Sequence, residues 1–64
     1  MLRIYAKTPG SKRFQAMDYR AGLVVGNLIY ATLFNDEQRG EVEKAVDFMR
    51  VENPDIAFEI REVA

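Results

Sequence analysis

Apolar and polar positions alternate with period two over residues 2 to 7, "LRIYAK": Leu2, Ile4 and Ala6 fall on one side, Arg3, Tyr5 and Lys7 on the other. That is the pattern of a strand with one buried face. "TPGS" predicts a turn, with Pro9 setting φ and Gly10 free to take a positive one, and the chain then reverses into "KRFQAMDY". A three-residue loop pairing Thr8 with Lys12 sets Ala6 against Phe14 and Ile4 against Ala16, so that the apolar faces coincide. This register predicts a core face of Leu2, Ile4, Ala6, Phe14 and Ala16. The outer face then carries Arg3, Tyr5, Lys7, Arg13, Gln15, Met17 and Tyr19.

"YRAG" predicts a second turn at Gly22, and "LVVGNLIYATLF" is β-branched and aromatic, as strands are. Gly26-Asn27 reads either as a bulge in one strand or as a hairpin turn between two, giving four or five strands in all. From Asn35 the period lengthens to about 3.6: Val42, Ala45, Val46 and Met49 form one helical stripe, flanked by Phe48. Asn35 followed by Gln38 resembles a capping box, Asp36 and Glu37 suit a helix N-terminus, and "ENP" ends the helix. Gly40 inside it implies close backbone packing or a frayed first turn. In "DIAFEIREV", Ile56, Phe58 and Ile60 alternate with Ala57, Glu59 and Arg61. The expected fold is α+β: a mostly antiparallel sheet with one helix on one face, in the order β-β-β-α-β. Sixty-four residues allow one domain, 1–64, with one small core.

Composition removes much chemistry. The chain has no cysteine and no histidine, so disulfides, thiolate nucleophiles, histidine-dependent triads and the usual zinc sites are excluded. "PGSK" has one glycine and precedes a strand, unlike a phosphate loop. Asp36, Glu37, Glu41, Glu43 and Asp47 lie on the solvent side of the helix, where Glu41 with Lys44 and Asp47 with Arg50 are i, i+3 partners. No calcium-loop spacing is present. No enzyme, cofactor or metal is expected. The run 21 to 34 is shorter than the roughly 20 apolar residues of a membrane span, and the N-terminus lacks signal-peptide regions, so the expected location is cytoplasmic.

Net charge is −1, unevenly spread: residues 1 to 20 carry Arg3, Lys7, Lys12, Arg13 and Arg20 against Asp18, whereas the remainder carries nine acids against four bases. Two readings follow. Tyr5, Met17 and Tyr19, joined by Tyr30 if it faces outward, suit a protein contact or a homodimer through the uncovered sheet face, and an edge strand at 56–63 suits addition to a partner's sheet. The alternative is a DNA- or RNA-binding surface of Arg3, Tyr5, Lys7, Lys12 and Arg13, combining phosphate-binding cations with a stacking ring.

"IYAKTPGSKRFQAMD", "NLIYATLF" and the acidic helix together resemble small proteins of bacterial mobile elements and prophages, a resemblance that implies no activity. Three strands followed by a helix after "ATLFNDEQ" also resemble the arm-type DNA-binding domains of tyrosine integrases. That likeness implies DNA reading by Arg3, Tyr5, Lys7, Arg13 and Gln15 on the sheet face, although here the helix is acidic and a fourth strand follows.

Overall fold

A computed structural model describes residues 1–63. Strands β1 (Leu2–Lys7), β2 (Gln15–Asp18) and β3 (Leu23–Val24) precede helix α1 (Arg39–Glu52), and β4 (Ala57–Glu62) follows it. They form one antiparallel four-stranded sheet in the order β3-β2-β1-β4, with α1 on one face. The α+β architecture and the β-β-β-α-β order are as the sequence predicts.

The first hairpin departs from the expected register. Tyr5 pairs with Ala16 and Ala6 with Gln15, one step away from the predicted Ala6–Phe14 and Ile4–Ala16 pairs. The turn explains the shift. Thr8 accepts a hydrogen bond from Ser11 N at 3.0 Å, and Gly10 takes φ +86°, which makes Pro9-Gly10 the centre of a type II turn. Such a turn splays the two strands it joins. The chain therefore needs the extra bend at Ser11–Arg13, closed by Ser11 Oγ donating to Arg13 O at 2.9 Å, before β2 starts. The step turns β2 over: Met17 joins the core at 5% exposure, while Ala16 is buried on the opposite face beside Tyr5, Phe14 and Leu28.

Residues 23 to 34 also depart from expectation. Only Leu23–Val24 pair as a strand, and Gly26-Asn27 is neither bulge nor hairpin but the entry to a 3-10 turn at Leu28–Tyr30. Asn27 Oδ1 accepts from Ile29 N at 3.1 Å, the side-chain-to-backbone bond by which asparagine starts turns, and this local bond overrides the β-propensity around it. The chain returns to the sheet at Phe34, which exchanges backbone hydrogen bonds with Leu2 at 2.8 and 2.9 Å.

The helix follows its pattern. Val42 and Val46 are buried, Ala45 and Met49 are half-buried, and Phe48 is exposed. Burying each valine contributes about 1.5 kcal/mol. The predicted start of the helix is displaced: the Asn35–Gln38 capping box, with Gln38 Oε1 accepting from Asn35 N at 2.9 Å, opens a 3-10 turn at Asp36–Gln38, and α1 follows from Arg39. Asp36 accepts from the Met1 amino group at 2.8 Å, which holds its carboxyl below the usual carboxylate value. The C-terminus is closed by Asn53, whose backbone N and side-chain Nδ2 both donate to Met49 O. A Cβ built on Gly40 meets nothing within 4 Å, so close packing does not explain that glycine. The core lies between the helix stripe and Ile4, Ala6, Met17 and Phe58, with Leu2 buried at its end.

Candidate functional site

The helix covers one sheet face, and the other is built from β1, β2 and β4. Tyr5 on β1 opposes Glu59 of β4 and Ala16 of β2, and Arg3 opposes Arg61. Residues directly opposed in an antiparallel pair point to the same side. Arg3, Tyr5, Glu59 and Arg61 therefore share this outer face. The Arg61 guanidinium lies over the Tyr5 ring at 4.2 Å from its centroid and 5.5 Å from that of Phe14. Arg61 also donates to Glu59 on its own strand. Contacts of this kind contribute about 0.5–1 kcal/mol at exposed sites, and they occupy the ring surface that an unpaired base would need.

The predicted nucleic-acid residues are partly assembled. Arg3 and Tyr5 lie on the outer face, and the Nε of Arg3 is buried without a hydrogen-bond partner among the described residues. Lys7 is exposed at the end of β1, and Lys12 and Arg13 are exposed in the hairpin loop, where Arg13 borders a depression with Tyr5 and Phe14. Glu59 interrupts the positive field, and Arg61, absent from the predicted set, takes the central place. The alternation of Glu59 and Arg61 along β4 was the available signal. What the sequence lacked was the knowledge that β4 pairs with β1.

The predicted protein-contact trio does not form one surface. Tyr5 is on the outer face under Arg61, Met17 is in the core, and Tyr19 turns to the helix side. There Tyr19 packs edge-to-face on Phe34 at 5.9 Å, above Val42 and Ala45. The register shift accounts for Met17, and the turn at Tyr19–Gly22 carries Tyr19 off the strand.

Exposed apolar residues lie elsewhere: Phe48 and Val51 on the helix, and a cluster of Leu23, Leu28, Ile29, Tyr30 and Leu33 after β2, with Ile29 at 77% and Tyr30 at 67%. Two tethers to β2 hold this arm: Val25 N donates to Ala16 O at 2.9 Å, and Thr32 N donates to Met17 O at 3.2 Å while its Oγ1 accepts from Tyr19 N at 2.9 Å. Between the tethers no residue of the 3-10 turn is buried. Leu28 lies beside Tyr5, Phe14 and Ala16, which joins the arm to the rim of the outer face. Asn27 before an apolar triplet was the sequence signal for this arm.

On the helix, Asp47 and Arg50 pair at 3.1 Å, while Glu41 and Lys44 form no ion pair among the described residues. Among the described residues no group of three or more acidic side chains is gathered as metal ligands would be, and no helix is long and apolar enough to cross a membrane. Compared with known families, curated proteins and solved structures, the chain matches none.

Proposed function

We propose that this chain is a non-catalytic binding module that docks on another protein through the apolar arm Leu28–Tyr30 and the outer sheet face beside it. The observation that carries the reading is the exposure of Ile29 and Tyr30 on a turn held firmly at both ends. Burying both side chains in a partner is favourable by about 3 kcal/mol or more, and a tethered turn loses little conformational freedom when it docks. Arg3, Lys7, Lys12, Arg13 and Arg61 around this face outnumber Glu59 and Asp18, so the fitting partner presents an apolar patch bordered by carboxylates.

The basic surroundings also define the competing nucleic-acid reading, and salt separates the two. Phosphate binding weakens steeply as salt rises, whereas apolar contacts hold or strengthen. The test is light scattering of the purified protein with a mixed-sequence oligonucleotide at low and high salt. The expected result is no complex with the oligonucleotide at either salt. A complex that forms at low salt, dissolves at high salt and is lost on Lys12→Glu with Arg13→Glu would overturn the protein-contact reading.

A further inference from the structure

The two edges of the sheet differ. One is closed by β3, only two residues long, and a short edge strand is one of the ways in which proteins discourage sheet extension. The other is β4, which pairs with β1 through six consecutive residues without a bulge or a proline. Val63 N donates to Met1 O at 2.8 Å in the same register. Because hydrogen-bonded pairs alternate along an antiparallel ladder, Arg61, Glu59 and Ala57 also turn their backbone groups toward β1. Phe58, Ile60 and Glu62 turn theirs to the open edge. The Phe58 carbonyl points outward in the same way: it accepts from Arg50 Nη2 at 3.1 Å outside the sheet, a bond that Arg50 must share or release where another strand pairs there.

From this edge we infer that a second copy of the chain pairs with β4, antiparallel about a two-fold axis at Ile60, to give a continuous eight-stranded sheet. The charges select that register. Pairing centred on Ile60 sets Glu59 opposite the partner's Arg61 and Arg61 opposite the partner's Glu59, giving two complementary pairs on the outer face. Centring on Glu59 opposes two glutamates, and centring on Arg61 opposes two arginines. Shifts by an odd number of residues set core side chains against outer ones. Ile60 is the residue whose N–H and C=O point outward at the axis. Its side chain lies on the helix side, in an open depression lined by Glu43, Val46, Asp47, Arg50 and Glu59, where the partner's Ile60 enters. This contact is separate from the apolar arm, which lies at the β2 end of the sheet.

Charge exchange tests the inference by sedimentation equilibrium, with far-UV circular dichroism as the check on folding. Wild type is expected to dimerise with Kd on the order of 100 µM, as suits a small interface. Glu59→Arg and Arg61→Glu each replace two attractive pairs with two repulsive ones and weaken association roughly tenfold or more. An equimolar mixture of the two variants restores the dimer, because every outer pair in the heterodimer is again complementary. N-methylation of Ile60 in a synthetic chain abolishes the dimer and leaves the fold intact, since that N–H faces away from β1. Ile29→Asp leaves the dimer unchanged, which separates this contact from the proposed arm. A wild-type chain that stays monomeric at about 1 mM, charge variants that associate like wild type, or a mixture that stays monomeric would overturn the inference.

Discussion

Replacing Met17 with alanine, beside the same change at Phe14, puts the hairpin register to a quantitative test. Met17 is 5% exposed and packs with Ile4, Ala6, Val42, Val46 and Phe58. Removing its side chain beyond Cβ forfeits about 2 kcal/mol of transfer free energy, and the cavity left behind raises the loss to about 3 kcal/mol. Phe14 is half-buried on the outer face beneath Arg61. Truncating it costs about 1 kcal/mol, chiefly the cation contact and partial burial. A chain of this length has a total stability of roughly 3–10 kcal/mol, so the Met17 variant loses a large share of it. Urea titration followed by circular dichroism reads both changes. With a slope of about 1 kcal/mol per molar, the midpoint falls by about 3 M for Met17→Ala and about 1 M for Phe14→Ala. The three-residue hairpin loop puts Phe14 in the core and Met17 on the surface, so a larger loss for Phe14 than for Met17 would refute the observed register.

The glycines and the arm give three further outcomes. Gly40→Ala raises stability by about 0.5–1 kcal/mol in the same titration, because the new methyl group meets open space on a helix. Gly22→Ala also meets open space but lowers stability by about 1 kcal/mol, since φ is +70° there; equal and opposite shifts for the two would show that backbone conformation and not packing governs both. Asn27→Ala removes the acceptor for Ile29 N and costs about 0.5–1 kcal/mol, and amide exchange is expected to quicken at Ile29 and Tyr30 while that of β1 is unchanged.

The helix, β1 and β4 were legible because their burial follows a local period. Val42 with Val46, Leu2 with Ile4 and Ala6, and Phe58 all fall where alternation or helical spacing puts them. The register of β2 was not legible, because it depends on how far a type II turn splays the strands around Pro9-Gly10, and that displacement is invisible in the apolar pattern. The arm departs from its sequence pattern for a different reason. β-branched and aromatic residues favour strands, but the single Asn27 side-chain bond commits the chain to a turn and leaves Ile29 and Tyr30 in solvent. Arg61 entered the candidate surface from 56 residues beyond Tyr5 through the pairing of β1 with β4, and non-local pairing of that kind has no local sequence signature.

Docking through the arm is tested most directly by replacing Tyr30 with a photo-crosslinkable phenylalanine analogue in cells that make the protein. The expected product is a discrete, nuclease-resistant protein adduct that disappears when Ile29→Asp is added and does not form when the same analogue replaces Lys44. An adduct destroyed by nuclease, or labelling no different from that at Lys44, would contradict it.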